Sequence, residues 1–273
     1  MDKQWWLDSL SLRHVTLQSR IIMEVDHESS IHDDLSFPVS CLAAGNMGSL
    51  PLKEWKDAIQ AVHQEQGTIF LQLEIEGDDF HTASRKTALH EIHHMVQIFA
   101  DKAANAEKAG FDGVEIPGTK GSVIHSFVSR DTNKRSGSWG GSRKDRLHFP
   151  LAVARHIREY TGPAFPIIFR LPSVTDAVTA EELAMMAGQL EASGVNLFHI
   201  GSGTDSSPSA DTALQDIVRT ASAVKKRVSI PVIISTGTTE AETFIQRQEE
   251  IPFDGISIHA ENNSWNRLFL SET

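Results

Sequence analysis

Apolar residues in this chain fall into short continuous runs, separated by longer stretches with helical spacing. The runs are Arg20–Val25, Pro38–Ala44, Thr68–Ile75, Gly113–Ile116, Pro166–Leu171, Asn196–Ile200, Ile230–Ser235 and Gly255–His259. Runs of this length and kind fit strands of a parallel sheet that is covered on both faces. The stretches between them predict helices over Leu52–Gln66, Ala88–Ala109, Arg146–Tyr160, Thr179–Ala192, Asp211–Lys226 and Glu240–Arg247. Trp55, Ile59 and Val62 share one face of the first, and Phe99, Ala103, Ala106 and Ala109 share one face of the second. Gly110 stops that second helix, as a glycine just past the last turn does. Thr179 with Glu182 three residues on forms a capping box. Leu10–Arg20 reads as a lead-in segment, Asp26–Phe37 and Asp78–Thr87 as polar loops, and Ser202–Ala210 as the most flexible-looking piece. Strand and helix alternate, which predicts an α/β fold. The count of eight strands favours a closed (β/α)8 barrel over an open doubly wound sheet. A barrel of about 250 residues fits the 273-residue chain as one domain over residues 1–273.

Composition narrows the partners. With 25 Lys+Arg against 36 Asp+Glu, the net charge of −11 argues against a nucleic-acid partner, which would want a basic face. No apolar run approaches the roughly 20 residues that span a bilayer, and MDKQWWLDSL has no signal-peptide layout. Cys41 is the single cysteine, so no intrachain disulfide forms. These features point to a soluble cytoplasmic protein.

One stretch is more specific. AGFDGVEI, HSFVS and TNKRSGSWGGS, followed by an RxxR-like spacing that ends in Phe149, lie between Ala109 and Phe149. In this order they resemble the old yellow enzyme family, FMN-dependent enoate reductases on an eight-stranded α/β barrel. The resemblance extends more thinly over most of the chain. Against that family's pattern the barrel is lean. The helix after the first strand is reduced to a few residues, the loop after the third strand is short, and nothing after Trp265 is long enough for a full final helix. Exposed barrel wall left by missing helices suggests a homodimer.

In such a barrel the active site lies at the carboxyl ends of the strands. The first strand ends in Glu24, Val25, Asp26 and His27, where the family pattern is a small residue, Pro, an apolar residue and a flavin-binding Thr. The acids there repel an anionic reduced flavin, can do acid–base work in a flavin-free pocket, or are solvated loop charge. The third strand gives Gln72, matching the family's flavin-binding Gln, and Glu74, two residues on and on the same side. An inward acid needs a partner or a task, so Glu74 is the first candidate acid–base group. Glu76, Asp78, Asp79 and His81 extend the acidic loop; their spacing fits no metal motif, and no metal is expected. After the fourth strand, the family's His–x–x–His/Asn pair and its Tyr proton donor correspond to Pro117, Lys120 and Ser122. Pro117 has no side-chain donor, and Ser122 is a poor acid beside a phenol with pKa about 10. Lys120 can stabilise an enolate as a cation. His125 occupies a common family position and reads as structural.

Arg170, on the fifth strand, matches the Arg that neutralises the flavin's N1–O2 side; its plainer reading is a barrel ion pair with Glu74 or Asp26. Gly237 and Thr238 can offer backbone N–H groups to a phosphate at a helix start. The family's phosphate-clamping Gly–Arg reads His259–Ala260. Losing that charge-assisted contact removes roughly 1.5–3 kcal/mol, or one to two decades of FMN affinity. His259 replaces it only if protonated, or serves as a further acid–base group. The expectation is therefore a member of the family with FMN lost or weakly bound and no cofactor required. It would act on a small biosynthetic intermediate by isomerase, cyclase or lyase chemistry through Glu74, Asp26, His27, Arg170, Lys120 and His259. The alternatives are an FMN-dependent NAD(P)H oxidoreductase with an atypical substrate site, and a non-catalytic binding protein.

Overall fold

The computed structural model describes residues 5–25, 40–45, 52–75, 87–174, 178–201, 210–246 and 252–259. Two short strands come first, β1 (Leu10–Leu12) and β2 (Val15–Leu17), paired as an antiparallel hairpin. Eight parallel strands then follow in chain order: β3 (Ile21–Val25), β4 (Ser40–Gly45), β5 (Thr68–Leu73), β6 (Gly113–Pro117), β7 (Ile167–Pro172), β8 (Leu197–Gly201), β9 (Val232–Thr236) and β10 (Gly255–His259). Each pairs with the next, and β10 pairs with β3, so the barrel closes. The expected (β/α)8 architecture is present.

Among the described residues the connecting helices are α1 (Leu52–Gln64), α2 (Leu89–Ala109), α3 (Val123–Val128), α4 (Arg143–Arg146), α5 (His148–Thr161), α6 (Ala180–Ala192), α7 (Ala210–Lys225) and α8 (Thr238–Gln246). Gly110 ends α2 at φ 105°, its N–H reaching the carbonyls of Ala106 and Glu107. Thr179 Oγ1 accepts from the Glu182 N–H while Glu182 accepts from the Thr179 N–H, the reciprocal cap expected for α6. The expected first helix after the first strand and the expected short C-terminus lie outside the described residues.

Side chains on the strands divide between two cores. The outward set, including Ile21, Met23, Ile69, Leu71, Val114, Ile116, Phe169, Ile200, Ile234 and Ile258, packs against the helices. Phe127 stacks on Phe149 with ring centroids 4.0 Å apart, and Phe149 meets Phe99 edge-on at 6.5 Å, which joins α3, α5 and α2. The inward set forms an apolar layer of Ile22, Leu42, Phe70, Ile168, Leu197 and Ile233. The β1–β2 hairpin seals this layer from below with Leu10, Leu12 and Leu17. The lead-in segment is thus a plug, and each of its fully buried leucines is worth about 1.5–3 kcal/mol. Because side chains alternate along a strand, the next inward position on most strands forms a second layer above, at the carboxyl-terminal mouth. That layer is polar.

The polar loop between α3 and α5 is tied down rather than open. The buried Asn133 amide donates to the carbonyls of Phe127 at 2.6 Å and Trp139 at 2.8 Å, and its Oδ1 accepts from the Arg135 N–H. A Cβ at Gly140 would lie 2.7 Å from that Oδ1, so the glycine is needed where the loop folds back.

Candidate active site

The polar layer is built from Glu24 on β3, Gln72 on β5, Glu115 on β6, Arg170 on β7, His199 on β8, Ser235 on β9 and Ser257 on β10. Glu24 Oε2 accepts from Arg170 Nη1 at 2.7 Å. Its Oε1 accepts from Ser235 Oγ at 2.8 Å and Ser257 Oγ at 2.6 Å. Arg170 Nη2 donates to Ser235 Oγ at 3.2 Å, and Arg170 Nη1 lies 3.8 Å from Glu115 Oε1. Glu115 accepts from Gln72 Nε2 at 2.6 Å through Oε1 and pairs with His199 Nδ1 at 2.7 Å through Oε2. His199 Nε2 sits 2.7 Å from Ser257 Oγ and 3.4 Å from Glu24 Oε1.

The hydrogen-bond pattern is best satisfied by a doubly protonated His199. The single Ser257 hydroxyl proton goes to Glu24, so Ser257 accepts from His199 Nε2. Nδ1 faces a carboxylate and must also donate. Both ring nitrogens are donors only in the imidazolium. The pKa directions agree. Burial opposes the charge on His199, as does Arg170, but Glu115 and Glu24 outweigh them and raise its pKa. Burial likewise opposes the Glu24 charge, yet His199, Arg170 and Ser257 hold its carboxyl well below the usual carboxylate range. Arg170 is pushed up by Glu24 and Glu115 against the opposing effect of burial. The cluster therefore holds two anions and two cations. Glu115 and His199 are fully buried, and Glu24 and Arg170 keep side-chain exposures of 12% and 16% toward the mouth.

Several expected site residues meet at one cavity beside this layer. It measures about 400 Å³ and is lined by Gln72, Glu74, Phe99, Pro117, Lys120 and Ser122 among others, within the usual range for ligand pockets. Glu74 is not an inward strand residue: β5 ends at Leu73, and Glu74 lies exposed at the cavity rim, its carbonyl accepting from Lys102 Nζ at 2.5 Å. The partner expected for Arg170 was Glu74 or Asp26; Glu24 fills that place, because position 24 points into the barrel. Ser122 is the N-cap of α3, its Oγ accepting from the His125 N–H at 3.0 Å. His259 is exposed at the end of β10, opposite Glu24 in register and apart from the cavity lining. Asp26, His27, Glu76, Asp78, Asp79 and His81 lie outside the described residues.

The sequence reading passed over Glu115, His199, Ser235 and Ser257. Their signal was available: each is a polar residue at an inward position of an otherwise apolar strand, as in GVEIP, LFHIG, VIIST and GISIH. Lys120 stands close enough to His125 to matter. Burial first, then the Lys120 charge, push the His125 pKa down, with Asp131 opposing. A Lys120→Met change is expected to raise the His125 pKa in an NMR titration. An unmoved titration would place the ammonium away from α3.

Residues 81–253, well over half of the chain, match the profile of the NADH:flavin oxidoreductase / NADH oxidase family. The NADH oxidase of Thermoanaerobacter brockii is 37% identical over 163 residues, which is 56% of this chain and 25% of that protein. An NADPH dehydrogenase of Geobacillus thermodenitrificans is 29% identical over 170 residues, 60% of this chain and 50% of that protein. The chain thus spans a quarter to a half of these relatives' lengths. Morphinone reductase superposes with a TM-score of 0.71 over 93% of this chain and 85% of its own, at 18% identity, a likeness of fold.

These matches overturn the expectation that no cofactor is required, since the family is one of flavin enzymes with FMN as cofactor. They also favour the oxidoreductase alternative over isomerase, cyclase or lyase chemistry. The residues present fit FMN in kind. Gln72 and Arg170 are hydrogen-bond donors at the mouth, suited to the acceptors of a flavin ring. Gly237 is exposed immediately before α8, whose amino terminus suits a phosphate. Thr238, the other expected phosphate contact, is the first residue of that helix. From the profile match and the barrel that carries it, the chain belongs to the NADH:flavin oxidoreductase / NADH oxidase family.

Proposed function

We propose that this barrel binds FMN across its carboxyl-terminal mouth and serves as the flavin module of an NAD(P)H-dependent oxidoreductase acting on a small organic acceptor. The observation that carries this reading is the polar layer, which brings Gln72 and Arg170 to the mouth beside a cavity of about 400 Å³. When bound, FMN supplies the relay of an electron pair from a reduced nicotinamide to the acceptor. The protein's own groups do the rest. Arg170 offers a fixed cation and Gln72 an amide to the ring. Pro117 gives the cavity wall no donor. Lys120 brings a cation to hold negative charge that develops on an acceptor oxygen, and a proton to give. Ser122 is occupied as a helix cap.

The test is to purify the protein, record its visible spectrum and titrate FMN while following flavin fluorescence. The expected result is a flavin band with saturable binding of one FMN per chain, and bleaching of that band by NADH or NADPH under anaerobic conditions. A colourless protein without saturable FMN binding would sink the proposal.

A further inference from the structure

Arg170 is the cation that the flavin reading places nearest the ring, and its charge is already matched within the protein. Glu24 Oε2 takes Arg170 Nη1 at 2.7 Å, and Ser235 takes Nη2. The guanidinium has little freedom to leave. Gly201 closes on it from β8, where a Cβ would lie 2.8 Å from Arg170 Nε. Glu24 is equally fixed, by Ser235 and Ser257 on one oxygen and Arg170 on the other. Its backbone position is the one where the resembling family pattern has a small residue without charge. The second buried anion, Glu115, is already balanced by His199 at 2.7 Å. Removing Glu24 alone would therefore leave a net positive mouth, and keeping it leaves the mouth neutral.

We infer that Glu24 is a charge-setting residue that acts through Arg170, lowering the reduction potential of the bound flavin and weakening the hold of the site on anions. This inference rests on the FMN reading of the same site. The physical reason is that two-electron reduction of a flavin places negative charge on the ring. A bare guanidinium beside the ring favours that state, and a guanidinium neutralised by a carboxylate favours it less. Glu24 does not need to touch the cofactor for this. Its fixed charge lies within the same low-dielectric mouth, where charges are poorly screened. The same neutralisation disfavours any other anion at the mouth, including an anionic acceptor or inhibitor.

The experiment measures FMN affinity and the two-electron reduction potential of the FMN-loaded protein for the natural chain, Glu24→Gln, Glu24→Ala and Glu24→Asp. Glu24→Ala restores a small residue at that position and keeps the test open if the buried amide of Gln is not accommodated. Both neutral variants are expected to bind reduced over oxidised FMN at least tenfold more favourably than the natural chain does. For a two-electron couple that raises the potential by about 30 mV. Glu24→Asp, which keeps the charge, is expected to stay near the natural potential. Equal potentials in the natural chain and both neutral variants, with FMN bound throughout, would overturn this inference and leave the flavin reading standing. Binding that appears only in the neutral variants would overturn the flavin reading for the natural chain and, with it, this inference. Failure of every form to bind FMN would overturn both.

Discussion

Replacing Arg170 by Ala is expected to cost the barrel about 3–5 kcal/mol, the loss that follows when one partner of a buried ion pair is removed. For a chain of this length that is a fall in Tm of roughly 10 °C. The magnitude follows from what remains. Glu24 and Glu115 would face a single cation, His199, and Glu24 would lose its 2.7 Å donor while only 12% exposed. A surface pair serves as the comparison. Arg143 and Glu182 also form an ion pair, but the Arg143 side chain is 46% exposed, so Arg143→Ala is expected to cost under about 1 kcal/mol. Removing Glu24 and Arg170 together gives the sharper result. The Glu115–His199 pair then stays balanced, so an Arg170→Met, Glu24→Ala double variant should recover much of the loss of Arg170→Ala alone. Urea unfolding of the set decides it. An Arg170→Ala loss no larger than that of Arg143→Ala would mean that the cluster does not depend on its guanidinium.

The barrel was legible because its strands announce themselves. Each is a short apolar run, each connecting stretch repeats at helical spacing, and the caps at Gly110 and Thr179 are local chemistry that needs no tertiary contact. The lead-in segment was not legible as a plug. LSL and VTL are too short to signal a hairpin, and what fixes them is the apolar floor of a barrel built from residues far along the chain. The site was half legible. Gln72, Arg170 and Lys120 were placed by motif, and all three stand at the mouth or in its cavity. Glu74 misled because two-residue alternation was extended past Leu73, where the strand ends. Glu24 was weighed as loop charge because it stands one residue from the end of its strand, two residues before Asp26. Only the register that sets His259 and Leu42 beside it shows that it points inward. The cofactor expectation failed for a related reason. It counted the acids and the missing clamp as losses for a flavin, without seeing that Glu24 is already matched by Arg170 and His199.

The same cluster should make stability depend on pH from both sides, and the two limbs are separable. Glu24 has a folded pKa below its ordinary value of 4.5. Its stabilising contribution is therefore complete above 4.5 and is lost as pH falls through the lowered folded value. His199 has a folded pKa above its ordinary value of 6.5. Its contribution is complete below 6.5 and is lost as pH rises through the raised folded value. Both contributions are whole only between 4.5 and 6.5. Other groups titrate across this range, so the informative quantity is the Tm difference between the natural chain and a variant at each pH. For Glu24→Gln, that difference should be flat above 4.5 and close toward zero in acid, where the natural carboxyl also becomes neutral. For His199→Gln, it should be flat below 6.5 and close as pH rises, where the natural imidazole loses its charge. The sign of the second limb carries the most weight. A buried histidine held neutral would stabilise the fold more as pH rises, so a His199→Gln difference that grows in alkali would contradict the imidazolium at the centre of the cluster. A difference that closes in alkali would place two cations and two anions inside the barrel at once. The mouth would then be electrically neutral before any ligand arrives.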